Sequence, residues 1–296
     1  MRVLLPDQPP FRALHLPGLE VAYVSADHLP DGPADGLVLW GLPREARRTL
    51  LTRGGLKWVL TLTAGVDHLL PDLPEGVALY NAHTLHDDAV AQHAAALLLS
   101  AGRGLSRFRD AQREGHWGLS GSLHTLRGRE VVIWGYGHIG RLLEGMLQPF
   151  GARVSGLTSR SSDEEVRAAL GKADDLVLLL PGTPATRHIL NAQRLEQLKP
   201  GAWVLNLGRG ELIDPDALLS AVQAGQVAGA ALDVTEPEPL PQDHPLWGLE
   251  QVIITPHIAS TTDDLPQRGA DYATTFLREM QQGGAPEGRV PTGRGY

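Results

Sequence analysis

Three short strings in the second half of the chain each set a chemically capable side chain just behind an apolar run. Arg209 follows Trp203–Leu205 in the string Asn206 to Asp214. Asp233 and Glu238 follow Val227–Leu232, and His257 follows Val252–Ile254 in Thr255-Pro256-His257. Each apolar run reads as a buried strand. Residues at the carboxyl ends of parallel strands meet at the ligand crevice of an open α/β sheet. An arginine, an acid and a histidine gathered there can hold an anion and move a proton. Taken singly, His257 reads more readily as a hydrogen-bonded structural histidine and Glu238 as a solvated loop acid; the set carries the meaning. His83, His86, His93, His138 and His188 keep the structural reading.

A second constellation lies upstream. The strand Glu130–Trp134 runs directly into Gly135-Tyr136-Gly137-His138-Ile139-Gly140, and Ile139, Leu142, Leu143, Met146 and Leu147 then recur at helical spacing. Strand, glycine turn and helix in that order form a dinucleotide fingerprint. Gly135 permits the tight turn, Gly137 admits a pyrophosphate close to the backbone, and Gly140 lets helix and strand pack. The helix N-terminus offers free N–H groups to phosphate. About 20 residues on, an NAD enzyme usually carries an acid for the ribose 2′-hydroxyl. Here the second strand, Arg153–Leu157, is followed by Thr158-Ser159-Arg160-Ser161 instead. Arg160 can pair with a 2′-phosphate and the serines can donate to it, so NADP(H) is favoured over NAD(H).

These residues need elements to hold them. Val3–Leu5, Val21–Val24, Leu37–Trp40, Trp58–Leu62 and Val77–Tyr80 read as strands of a small parallel sheet, with a helix at Arg44–Thr52. One long helix is expected from Asp87 to Gln112. Six more strands follow, Val131–Trp134, Val154–Leu157, Leu176–Leu180 and the three named above, the size of a full dinucleotide-binding sheet. A last helix spans Asp271–Gln281. The fold expected is α/β: a Rossmann-type cofactor domain (91–264) inserted in a smaller flavodoxin-like α/β substrate domain (1–90 with 265–296). The formal net charge of −8, with no massed basic block, argues against nucleic acid as the main partner. The absence of cysteine excludes disulfides and thiolate chemistry. No His/Asp/Glu grouping has metal-ligand spacing, so no metal is expected. The first residues lack a signal-peptide core and no apolar run reaches membrane length, which makes a soluble cytoplasmic protein the expectation.

Further strings sharpen the picture: Thr63-Ala64-Gly65-Val66-Asp67, Ala91-Gln92-His93, Pro181 to Thr186, and His244-Pro245-Leu246-Trp247. With the glycine turn and the three strand ends, in this order, the chain resembles the NAD(P)-dependent D-isomer-specific 2-hydroxyacid dehydrogenases along nearly its whole length. The resemblance implies His257 as acid/base, Glu238 as its orienting carboxylate and Arg209 as substrate anchor. It implies that the N–H groups of Gly65 and Val66 bind the substrate carboxylate and that Asp233 binds the nicotinamide carboxamide. Leu180, Pro181, Thr186, Leu207 and Gly208 would line the cofactor, with the backbone of His138 near the pyrophosphate. This chemistry is coherent: hydride delivery to a 2-oxo carbon builds charge on oxygen, which a proton donor and a guanidinium relieve. The substrate implied is a small 2-oxo or 2-hydroxy acid, with glyoxylate or hydroxypyruvate favoured, and the assembly implied is a homodimer. Two departures stand out. Thr158 replaces the acid of NAD-preferring members, and Gln92 replaces the glutamate of an Ala-Glu-His string. The trimming of a somewhat short chain falls in the first domain. Formate dehydrogenases share the fold but carry glutamine where this chain has Glu238. Cofactor-sensing corepressors share the architecture but are distinguished by partner-binding extensions.

Overall fold

The computed structural model describes residues 1–118 and 121–291, which fall into two compact units. The first takes in Met1–His86 and the described chain from Thr261 onward; the second is Asp87–Ser260.

In the first unit, β1 (Arg2–Pro6), β2 (Glu20–Val24), β3 (Gly36–Leu39), β4 (Trp58–Thr61) and β5 (Ala78–Asn81) form a parallel sheet in the order β2-β1-β3-β4-β5. That is the flavodoxin-like order. The strands are apolar along their length because both faces are covered, and alternate residues serve alternate faces. Val3, Leu5, Val38, Trp58, Leu60 and Tyr80 face one core; Leu4, Leu37, Leu39, Val59 and Leu79 face the other. The short helix α1 (Pro9–Arg12) places Phe11 in the first core, and α2 (Arg44–Thr52) fills the second with Leu50 and Leu51. Gly36 makes room for Trp58, since a Cβ there would lie 1.9 Å from the indole. Beside the edge strand β5, the segment 288–290 runs antiparallel: Asn81 N donates to Gly288 O (2.9 Å) and Val290 N to Leu79 O (2.8 Å).

In the second unit, β6 (Glu130–Trp134), β7 (Arg153–Leu157), β8 (Asp175–Leu178), β9 (Ala202–Asn206), β10 (Val227–Leu232) and β11 (Val252–Ile254) are all parallel, in the order β11-β10-β9-β8-β6-β7. The expected six strands are present. Their order differs from the usual dinucleotide sheet, 3-2-1-4-5-6. After β7 the chain passes through α6 to β8 beside β6, so among the described residues no third strand flanks β7, and β11 extends the opposite edge. The order still reverses between β6 and β8, which keeps the switch point at the glycine turn. The helices α3 (Asp87–Arg103) and α5 (His138–Leu147) cover Val131, Ile133, Val177 and Leu205. On the other face α6 (Asp163–Leu170), α7 (Ala192–Glu196) and α8 (Pro215–Gln223) cover Val132, Leu176, Val204 and Leu232.

Three local expectations are corrected. The stretch 87–112 is two helices, α3 and α4 (Leu105–Arg113), because Gly104 sits between them at φ 61°, a left-handed conformation that ends the first. The last helix, α9 (Leu265–Gln281), belongs to the first unit and begins six residues before the expected Asp271, with Pro266 inside its first turn, where its missing N–H costs nothing. Its Phe276 meets Trp58 and Tyr80 edge-on at 5.2 and 5.0 Å. On α5, Leu142 turns outward (41% exposed) while Leu143 and Leu147 are fully buried. Among the described residues no helix is long and apolar enough to cross a membrane.

Candidate active site

The carboxyl ends of β6, β8 and β9 press together at two glycines. A Cβ on Gly135 (φ +102°) would lie 2.5 Å from the Leu179 carbonyl carbon and 2.7 Å from Leu180 N; one on Gly208 would lie 2.6 Å from Leu180 O. The backbones of Gly135, Leu180 and Gly208 thus form one continuous floor. Gly135→Ala is expected to lower stability by about 1–3 kcal/mol, through a disfavoured φ and a backbone clash together. A urea unfolding curve checks this, and an unchanged midpoint would contradict it.

Above that floor, Gly137 caps α5 with no side chain bonded to the helix end, and a Cβ added to it would meet nothing within 4 Å. The start of α5 is therefore open at Gly137, and first-turn N–H groups, which have no acceptor within their own helix, are the donors a phosphate requires. The His138 ring itself turns to Asp87 (3.6 Å). Gly140 packs 3.2 Å, by its missing Cβ, from Ile133, and Tyr136 is tied to Glu144, a hydrogen bond that raises the phenol above its ordinary range. These features fit a dinucleotide.

At the end of β7, the turn Thr158–Ser161 is built by its own hydroxyls. Thr158 Oγ1 accepts from Arg160 N (3.2 Å), and Ser161 Oγ accepts from Thr158 N (3.1 Å). Thr158, Ser159 and Arg160 are exposed, and the Arg160 guanidinium has no carboxylate partner among the described residues. Pro181 and Thr186 lie in the loop after β8, where Thr186 Oγ1 donates to Pro181 O (2.7 Å); Leu207 is buried beside Gly208.

Three adjacent strand ends carry the proposed chemistry. After β9, the buried Asn206 closes a turn from both sides: its amide donates to Arg209 O (2.8 Å) and its carbonyl accepts from Gly208 N (3.1 Å). Arg209 leaves that turn with Nη1 on Gly208 O (2.8 Å), its stem lying over Gly182. After β10, Asp233 is 2% exposed and grips the segment after β11. Its Oδ1 accepts from Thr255 Oγ1 (2.6 Å) and Ile258 N (3.0 Å), and its Oδ2 from Ala259 N (2.9 Å). His93 Nε2 adds a bond to Thr255 Oγ1 (3.1 Å). Between those clamps sits His257, held at φ 53° with its N–H on Asp233 O (2.8 Å). A non-glycine residue in that region is strained and over-determined by its surroundings, a frequent mark of a functional position. His257 Nδ1 bonds Glu238 Oε1 at 2.7 Å. Because a carboxylate only accepts, Nδ1 carries the proton, and Nε2 is left to face a ligand.

Gly65 and Val66 lie in the other unit, just after β4, with Val66 buried. The amides of Thr63 through Val66 donate to no acceptor among the described residues.

Sequence reasoning missed the supports of these groups. Asn206 and His93 are two. A third is the cluster at Glu236, which takes Arg187 and, at 2.7 Å, His188 Nε2, while Arg187 also reaches Glu211 (3.3 Å). Burial alone would raise the Glu236 carboxyl; its bonds to His188 and Arg187 outweigh that and lower it. The cluster ties together the loops carrying Arg209 and Glu238. Asn206, the last residue of β9, and His93, in the Ala91-Gln92-His93 string, each gave a local signal; the Glu236 cluster gave none.

The family model for "D-isomer specific 2-hydroxyacid dehydrogenase, NAD binding domain" matches residues 95–259. Glyoxylate/hydroxypyruvate reductase A of Serratia proteamaculans is 36% identical over 287 residues, covering 90% of this chain and 89% of the relative. Glyoxylate reductase of Thermofilum pendens is 32% identical over 257 residues, covering 79% and 75%. Among solved structures, the NADPH-dependent glyoxylate/hydroxypyruvate reductase of Sinorhizobium meliloti, in complex with NADP and sulfate, superposes with TM-score 0.85 at 26% identity, covering 100% of this chain and 99% of that one. A D-isomer specific 2-hydroxyacid dehydrogenase of Xanthobacter autotrophicus Py2, with NADPH and MES, gives 0.83 at 30% identity and the same coverage.

Proposed function

The chain belongs to the D-isomer specific 2-hydroxyacid dehydrogenase family, and from that premise we propose that it reduces small 2-oxo acids, glyoxylate and hydroxypyruvate foremost, with NADPH favoured and NADH a second cofactor. The observation that carries this reading is the Glu238–His257 pair on a loop clamped by Asp233, with Arg209 at the end of the strand beside β10.

When bound, the nicotinamide supplies the hydride. The chain's own residues do the rest. Arg209 holds the substrate carboxylate and polarises the neighbouring carbonyl. His257 gives a proton from Nε2 to the oxygen that gains charge, and Glu238 fixes the ring and stabilises its charged form. In the opposite direction the same nitrogen takes the hydroxyl proton. Asp233 keeps one acceptor position on Oδ2 beyond Ala259 N for the carboxamide. Gly135, Gly137, His138, Ile139 and Gly140 offer backbone to the pyrophosphate, and Thr158, Ser159 and Arg160 to the ribose phosphate. Leu180, Pro181, Thr186, Leu207 and Gly208 line the nicotinamide half. The unit built on β6–β11 is then the cofactor domain. The unit built on β1–β5 is the substrate domain and offers the Gly65 and Val66 amides. The reading extends to a cytoplasmic homodimer, for which the exposed Leu105 and Trp117, on and just after α4, offer apolar surface.

Purified protein is expected to oxidise NADPH with glyoxylate or hydroxypyruvate in a panel that includes pyruvate and phenylpyruvate. Failure to oxidise either NADPH or NADH with every acid would sink the enzyme reading in favour of a cofactor-sensing protein. Arg160→Ala is expected to raise the Kd for NADPH about tenfold, the worth of one charge-assisted bond, with NADH little changed. Equal losses for the two would refute the ribose-phosphate role.

A further inference from the structure

The loop after β4 is wired by its carbonyls. Asn81 Nδ2 donates to Ala64 O (2.6 Å), Thr63 Oγ1 to Gly65 O (2.8 Å), and His86 Nε2 bonds Leu62 O (2.8 Å). Thr61 Oγ1 bonds Thr63 Oγ1 at 2.8 Å; with the Thr63 proton committed to Gly65, Thr61 is the donor. Thr61, Asn81 and His86 are 1%, 3% and 6% exposed; Thr63 is half-buried and is tied to the interior through Thr61. In a planar trans peptide, the N–H of each residue points away from the C=O of the residue before it. Holding Ala64 C=O inward therefore turns Gly65 N–H outward, and holding Gly65 C=O inward turns Val66 N–H outward. Leu62 C=O does the same for Thr63 N–H.

We infer that Asn81 and Thr63 are positioning residues of the substrate-carboxylate site, each fixing one of the two peptide planes whose N–H groups meet the carboxylate, with His86 fixing the plane upstream. This inference rests on the proposed role of Gly65 and Val66. Neither side chain touches substrate; both act through the backbone. A run of outward amides with its carbonyls already committed cannot flip to present an oxygen, so the loop favours an anion over a neutral group of the same shape. The amide-bearing and hydroxyl-bearing anchors thus add to the acid-over-amide preference that Arg209 confers.

The test compares glyoxylate with its neutral amide in Thr63→Val, Thr63→Ser and Asn81→Leu. Thr63→Val keeps the shape of the side chain and Thr63→Ser keeps the hydroxyl, so a folding defect in Asn81→Leu leaves the question decided by the threonine pair. Thr63→Val and Asn81→Leu are expected to raise KM for the acid about tenfold, the scale of one hydrogen bond to a charged group, with KM for the amide and Kd for NADPH nearly unchanged. Thr63→Ser is expected to behave as the unaltered protein. If Thr63→Val keeps the original acid-over-amide preference, the positioning role is overturned while the carboxylate site stands. If the unaltered protein shows no preference for the acid, the carboxylate site falls and the positioning role with it.

Discussion

Replacing His257 by alanine is expected to lower turnover by about 10²–10⁴-fold, the usual worth of a positioned general acid, while the Kd for NADPH stays close to that of the unaltered protein. The expectation separates the two because the imidazole and the glycine turn are held by different elements. His257 sits behind β11, clamped through Asp233 and paired with Glu238. The phosphate-binding backbone follows β6, at the far side of β10, β9 and β8. Removing the ring leaves the clamp intact, since Asp233 bonds Thr255, Ile258 and Ala259 and only the main-chain N–H of His257 is tied to its carbonyl. Steady-state rates with saturating glyoxylate, alongside NADPH titration by fluorescence, measure both quantities. A variant within threefold of normal turnover would take proton transfer away from His257; a parallel collapse of NADPH binding would show a structural role instead.

Arg209→Ala is expected to cost about 10²–10³-fold in kcat/KM, comparable to losing one preorganised donor at a developing oxyanion. The guanidinium leaves a turn that Asn206 closes on both sides, and its stem runs over Gly182, so its direction is set before any substrate arrives. Arg209→Lys distinguishes charge from shape. Lysine keeps the charge but loses the planar fork that matches a carboxylate, so most of the loss should remain. Full activity in the lysine variant would reduce the role of Arg209 to a point charge, and full activity in the alanine variant would remove it from the reaction. Neither change should alter NADPH affinity, which is measured in the same titration.

What the chain discloses before folding is what neighbours in sequence determine. The strands are legible because alternating core contacts on two covered faces demand unbroken apolar runs, and the glycine turn because strand, turn and helix are contiguous. Arg209, Glu238 and His257 are legible as candidates because each lies three to six residues beyond the end of its strand, and their roles came from the family resemblance. Their supports are not. Asp233 reaches partners 22 to 26 residues away, His93 reaches Thr255 across 162, and Asn81 reaches Ala64 across 17. Nothing local marks which buried polar group will find which. The strand order was equally hidden, because the absence, among the described residues, of a strand beyond β7 leaves no trace in the periodicity of the others. Gly104 failed as a helix-breaking signal for a different reason: apolar spacing continues through it, and only its left-handed φ ends α3.

The placement of α9 and of residues 288–290 bears on the order in which the chain takes shape as it is made. The second unit is complete once Ser260 has emerged, with its six strands and their helices all encoded within it. The first five strands, synthesised earlier, still lack Phe276 and Leu277 over one face and the pairing of 288–290 along β5. An apolar sheet face and an open strand edge are the surfaces by which nascent chains stick to one another. The strands made before the second unit are thus sealed only by segments made after it. Their exposure on the ribosome lasts as long as the intervening unit takes to translate.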